Sequence, residues 1–307
     1  MSGALTLRFS TQAQADIRRM TQDLSDLQRQ VASGSKANDL RGLGSAAGRL
    51  ISAQGLRAAT EARASILNQL DARFGVQAAA LSQVAGSAEQ LAQSIRQAIS
   101  ANDGRALDTE LSLAFSSAIS ALNETWNGQP LFAGERLGGP PVKISTLQEL
   151  QAATTPDDIF DEATRHQVID LGVGTPITLA GKASELSAAL FETMRGLQNM
   201  IDAGGGEIGA PISAAQRDQL LAIVGQLENE ARGFVNAEAR AGQLQTRFAA
   251  EQVRLQDRSN LLAKEIGEQA DADIAEVSVR LNTLLLQYEA SAKTFADLSK
   301  LTLLNYL

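Results

Sequence analysis

From Ser213 to Leu307 the sequence contains no proline, and its apolar residues recur in steps of three and four. Leu220, Val224, Leu227, Ala231 and Phe234 lead on to Leu244, Phe248 and Leu255. Ile274, Val277, Leu281, Leu284, Tyr288, Phe295 and Leu298 then lie on a heptad seam. That period belongs to helices rather than strands. A continuous helix from Ser213 to Leu262 would be about 75 Å long. Such a rod cannot bury its stripe alone, so it demands partner helices, from this chain or from other molecules.

The first third of the chain can supply them. Ile17, Met20, Leu24, Leu27 and Val31 alternate steps of three and four, the a/d seam of a coiled coil, with Arg18, Arg19, Asp23, Asp26 and Arg29 facing outward. Gly34, Gly42, Gly44, Gly48 and Gly55 follow closely, with a turn-like Lys36-Ala37-Asn38-Asp39 among them. Glycine disfavours a helix position by about 1 kcal/mol relative to alanine, so 34–48 reads as a non-helical connector. Helical spacing returns at Leu70, Phe74, Ala78, Leu81, Val84, Ala88, Leu91, Ile95 and Ala98. Asn102-Asp103-Gly104 reads as a turn, and Leu107 to Asn123 as helix.

The middle differs. Five of the six prolines fall between Pro130 and Pro176. The runs from His166 to Leu171 and from Thr175 to Leu179 read as short strands around Gly172 and Gly174, Val142-Lys143-Ile144 as another, and Thr146 to Ala152 as a short helix. Leu186 to Ile201 is an amphipathic segment ended by Gly204-Gly205-Gly206. The expected fold is mainly α: a long antiparallel helical bundle or coiled coil of N- and C-terminal segments, with a small mixed α/β insertion in the middle. The expected division is a terminal helix and connector over 1–45, one half of a helical rod over 46–127, the insertion over 128–184, the other half over 185–265, and a C-terminal helix over 266–307.

Composition narrows the function classes. There is no cysteine, so neither disulfides nor thiolate metal sites are possible. A net charge of −8 argues against nucleic acid, which is held by many Lys and Arg contacts to phosphate. Aromatics make up only 4 %, with the single Trp126 read as a packing anchor. No signal-like apolar run opens the sequence and no stretch is long enough to span a bilayer, so membrane insertion is not expected.

Several motifs invite sharper readings. Gly42-Leu43-Gly44-Ser45-Ala46-Ala47 fits a permissive dinucleotide fingerprint, but the preceding Asn38-Asp39-Leu40-Arg41 is not a strand, so a plain connector is expected. Glu265, Glu268, Asp271, Asp273 and Glu276 read as a solvated face with acids near a helix start. His166, the only histidine, has Asp170 nearby but no nucleophile elbow, and reads as a strand residue. Asn123-Glu124-Thr125 is a formal glycosylation sequon on a helical pattern. No catalytic, cofactor-binding or metal-ligating constellation stands out, and an enzyme is not expected.

The two ends carry a family resemblance. Leu7-Arg8-Phe9-Ser10-Thr11 is similar to the short strand-like opening of flagellin-like proteins, and the Leu27-Gln28 to Ser33-Gly34 stretch to the segment after their first helix. Arg240-Ala241-Gly242-Gln243-Leu244-Gln245-Thr246-Arg247 resembles an R-x-G-x-x-x-x-R pattern, and Asp271-Ala272-Asp273-Ile274-Ala275-Glu276 a D-A-D-x-A-E signature. Asn127 to Gly134 and the ending Leu301 to Leu307 resemble the flagellin-like hook-associated members of the bacterial flagellin family. An Asp-Asp-Pro-like step usual after the Ser-Gly is absent, its place taken by Asn38-Asp39-Leu40-Arg41.

The resemblance implies a structural subunit of the bacterial flagellum that joins hook to filament. It implies export through the flagellar secretion channel without a cleaved signal, guarded by a cytoplasmic chaperone. It also implies assembly outside the cell with copies of itself, the other junction protein and flagellin, and no cofactor. The expected assembly interface comprises Ile17, Met20, Leu24, Leu27 and Val31 with Ile274, Val277, Leu281, Leu284, Tyr288, Phe295 and Leu298. Filament flagellin is the alternative within the class. A signalling or adaptor coiled coil is the alternative outside it, and the prolines and strand-like insertion fit that one poorly.

Overall fold

The computed structural model describes residues 2–37, 39–169, 176–178 and 181–304, with side chains from Thr11 to Asp297 apart from Ala13. Helices dominate: α1 (Ser2–Ser33), α2 (Ala46–Ala101), α3 (Leu107–Leu122), α4 (Leu147–Ala152), α5 (Pro156–Ile159), α6 (Ala183–Ala203), α7 (Ala214–Ala270) and α8 (Ile274–Leu304). Two small antiparallel pairs complete the fold. β1 (Thr125–Trp126) pairs with β2 (Gln129–Pro130), and β3 (Val168–Ile169) with β4 (Ile177–Thr178). The chain divides into two compact units: a central one over Arg63–Arg254, and a terminal one of Met1–Ala62 with Leu255–Leu307.

The central unit holds the main core. Leu81, Val84, Ala88, Leu91 and Ile95 of α2 keep the three-four step and are buried. Leu111, Phe115, Ala118 and Leu122 of α3, Leu190, Phe191, Met194 and Leu197 of α6, and Leu220, Leu227 and Phe234 of α7 fill the same cluster. Phe191 sits between Phe115 and Phe160, with ring centroids 5.8 and 5.9 Å away, a spacing typical of favourable aromatic contact. Lower in the unit, Phe74 of α2 meets Phe248 of α7 at 5.6 Å, and the Gln245 amide donates to the Asp71 carbonyl at 3.2 Å.

The insertion is held by polar clamps rather than by a sheet. Asn123, which ends α3, donates to the Val142 carbonyl at 3.1 Å and accepts from the Val142 N–H at 2.9 Å. Asn127 and Gly128 take φ of 49° and 76°, the paired positive values of a tight two-residue hairpin. Beyond it Leu131, Phe132 and Ala133 are buried. Gly134 has φ of 65°, and a Cβ there would stand 2.4 Å from the Arg165 carbonyl, so no side chain fits. Thr146 and Glu149 form a capping box on α4. Asp158 accepts from the N–H groups of Thr155 and Thr154, which hold its carboxyl down at a pKa of about 2.

The terminal unit is thinner. α1 packs on α8. Their breaks are stitched together: Ser35 and Asp271 form an antiparallel bridge, Lys36 N–H donates to the Ala270 carbonyl, and Ala272 N–H to the Gly34 carbonyl, both at 2.8 Å. Gly34, with φ of 70°, ends α1 in the left-handed turn that glycine tolerates. Ser259 of α7 donates to Glu61 of α2 at 3.2 Å.

The mainly α architecture with a small insertion is as expected from the periodicity. Four local readings change. Residues 7–11 are helical within α1, not strand-like. The connector ends at Ser45, so Gly48 lies inside α2. Val142 makes only an isolated bridge to Phe160. His166 precedes β3 in irregular chain. Asp170 to Thr175 and Leu179, part of the two expected strands, lie outside the described residues, as does Asn38 of the expected turn.

Candidate assembly surface

Burial in the terminal helices follows one stripe on each. Leu24 and Val277 are buried; Ile17, Met20, Leu27, Leu281, Leu284, Tyr288 and Phe295 are half-buried. Val31 and Ile274, beside the Ser35 bridge, remain exposed. The Leu298 side chain lies outside the described residues. The two seams identified in the sequence therefore line the two helices that pack together. Two helices alone cover a seam from one side only, which is why most of these residues are half-buried rather than enclosed.

The terminal unit has little else to enclose. Among its described residues the buried hydrophobics are Leu24, Leu50, Ala53, Leu255 and Val277. Against these stand Leu40, Ile51, Leu56, Leu261, Val279 and Leu286, all exposed in addition to Val31 and Ile274. Fully covering one such side chain contributes about 1.5–3 kcal/mol, so a few of them can drive association. Charge partitions in the same sense. The terminal unit carries 13 basic and 13 acidic residues, whereas the central unit carries 14 basic and 22 acidic, which is the whole net charge of −8. A unit without net charge meets no long-range repulsion from its copies, whereas an acidic one keeps copies apart in solution.

The acids near the second break cap and pair rather than gather. Asp273 Oδ1 accepts from Ala275 N–H at 3.0 Å and Glu276 N–H at 3.1 Å, at the start of α8. Glu276 pairs with Arg280 at 2.6 Å, and Glu265 accepts from Gln269. Among the described residues no three His, Asp or Glu side chains are placed to hold a metal ion. His166 Nε2 lies 3.3 Å from Glu185 Oε1. Gly42 N–H is held by Asp39 Oδ1 at 2.8 Å in a turn, with no strand ahead of it among the described residues. Trp126 packs partly buried against the core, and Asn123 of the sequon is engaged with Val142. No described helix is long and apolar enough to cross a membrane.

Reading the sequence by its seams alone misses the exposed Val279, Leu286, Ile51 and Leu56. The spacing did contain a signal, since Val279 and Leu286 stand one heptad apart but off the seam of Leu281 and Leu284.

Comparison with known proteins bears on this surface. Residues 224–307 match the bacterial flagellin C-terminal helical region, a stretch that includes all of α8. The fold is similar to that of a Vibrio parahaemolyticus protein described as flagellar hook-associated, with a TM-score of 0.60 and 14 % identity, covering 76 % of this chain and 100 % of that one. It is also similar to FlgL of Bacillus cereus, with a TM-score of 0.51 and 13 % identity, covering 66 % of this chain and 98 % of that one. No curated protein matches the chain. The resemblance noted at the two ends of the sequence is thus met by a family match at one end and by two flagellar folds.

Proposed function

We propose that this chain is a structural subunit of the bacterial flagellum that joins hook to filament and assembles through its paired terminal helices. One observation carries the reading: the seam residues of the α1–α8 pair are only half-covered, in a unit whose charges balance, and α8 lies in the segment that matches the flagellin C-terminal region. The likeness to a hook-associated fold and to FlgL supports the junction role over the filament role. In this reading Ile17, Met20, Leu24, Leu27, Val31, Ile274, Val277, Leu281, Leu284, Tyr288, Phe295 and Leu298 pack within a copy and complete their burial between copies. The partners are copies of the chain, a second junction protein and flagellin. A cytoplasmic chaperone covers the apolar terminal helix before export through the flagellar channel.

The test is the pair of substitutions Leu284→Asp and Leu298→Asp. The double variant is expected to lose assembly while the central unit keeps its thermal transition. Normal motility in cells carrying it as the sole copy would contradict the proposal.

A further inference from the structure

The helices of the terminal unit break side by side. α1 ends at Ser33 and α2 begins at Ala46; α7 ends at Ala270 and α8 begins at Ile274; Ser35 bridges Asp271 between the two breaks. The two links are unequal. Asp271 to Asp273 is short and closed at both ends: Asp271 N–H donates to the Gly267 carbonyl at 2.7 Å, and Asp273 caps α8 through Oδ1. A Cβ on Gly267 would stand 2.9 Å from Asp271 Oδ2, so glycine makes room for this carboxylate to fold back over the end of α7. Gly34 to Ser45 is long, and beyond Lys36 its hydrogen bonds are local. Gly42 N–H donates to Asp39 Oδ1, Gly44 N–H to the Arg41 carbonyl at 3.2 Å, and Ala46 N–H to the Leu43 carbonyl at 3.1 Å. Among the described residues no hydrogen bond from 39–45 reaches α1, α7 or α8. Leu40 is exposed, and no atom lies within 4 Å of where a Cβ would stand on Gly44.

We propose that the paired breaks form a hinge: the α1–α8 pair turns as one body against the adjoining ends of α2 and α7, pivoting at Asp271–Asp273 while 39–45 takes up the change in length. A hinge needs a few residues at element ends that absorb a change in φ and ψ between bodies that keep their shape. Each body has its own fastening. Leu24 and Val277 are buried in the α1–α8 pair, and Ser259 of α7 donates to Glu61 of α2. Lys36 N–H on the Ala270 carbonyl and Ala272 N–H on the Gly34 carbonyl fix the end of α1 at the pivot, where rotation displaces it least. Two short links would lock the angle, as two pins do. One short link and one slack link leave it free, and a slack segment of local turns rearranges readily because it surrenders few buried contacts. The use of the hinge rests on the structural-subunit reading: it presents the terminal pair to a neighbouring copy at more than one angle.

Because the chain has no cysteine, nitroxide labels can be attached at chosen exposed residues. Arg18→Cys with Glu289→Cys reports on the α1–α8 pair, and Arg18→Cys with Gln54→Cys reports on that pair against α2. In the dispersed chain, pulsed electron–electron distance measurements are expected to give a narrow distribution for the first pair of labels and a broad one for the second. Asp271→Ala with Asp273→Ala removes the α8 cap and favours one continuous helix, so the second distribution should narrow. Deleting Leu40 to Leu43 removes the slack and should narrow it independently. In the wild-type chain, a second distribution as narrow as the first would overturn the hinge. Two broad distributions would overturn it as well, because α1 and α8 would not then move as one body. A second distribution left broad by both changes would overturn the pivot. All of these are read on the dispersed chain, so a failure to bind flagellar seeds would overturn the subunit reading and leave the hinge standing.

Discussion

Thr193 on α6 donates to Glu230 Oε1 at 2.7 Å, while Glu230 Oε2 is buried with no hydrogen-bond partner among the described residues. Burial raises the Glu230 pKa above the usual carboxylate value, outweighing the Thr193 bond that lowers it. The folded chain therefore favours the protonated form. The charged form weakens the fold above the folded pKa, and this penalty disappears as pH falls below the unfolded value of about 4.3. Glu230→Gln should accordingly stabilise the central unit at pH 7, where the charged carboxylate is the disfavoured form. Thermal melts should show the gain at pH 7 and none near pH 3.5. Asp158 has the opposite sign. Its pKa of about 2 means its contribution is full above about pH 4 and is lost as pH falls through 2. A chemical-shift titration of Asp158 with a midpoint near 4 would contradict the Thr154 and Thr155 N–H clamp.

At the scale of elements, α1 depends on α8 for nearly all of its cover. Leu24 is the one described hydrophobic of α1 that is buried. Leu24→Ala should destabilise the α1–α8 pair by about 2–3 kcal/mol, the low end for a core truncation because the site is thin. Hydrogen exchange would register this as faster exchange in α1 and α8, with protection in α3 and α6 unchanged. Faster exchange throughout the chain would mean the two units do not open separately. These two helices were also the most legible part of the sequence, because a narrow three-four seam over several turns admits few other readings. The break at Gly34 was legible too, but its pairing with the break at Asp271 was not. The antiparallel bridge between Ser35 and Asp271 depends on backbone groups far apart in sequence, which no local pattern reports. The hairpin at Asn127-Gly128 was signalled by the dipeptide itself, yet its strands are two residues each, too short to show alternation. α5 went unread for the same reason, although Thr155, Pro156 and Asp158 are a helix-start pattern.

At the scale of the whole molecule, the chain separates two tasks. The central unit encloses its core and carries the net negative charge. The terminal unit is neutral and leaves apolar side chains uncovered. The candidate surface was half-legible: the seam residues were in the spacing, whereas their partial cover and the exposed second face of α8 follow only from which helices pack. Sheared hooks and sheared filaments mixed with the purified chain, viewed by negative-stain microscopy, test the junction role most directly. The account predicts a short zone at the distal end that stops growing. Continuous growth from the seeds would make the chain a filament former and contradict it, and a dispersed chain that binds neither seed would contradict the structural reading altogether.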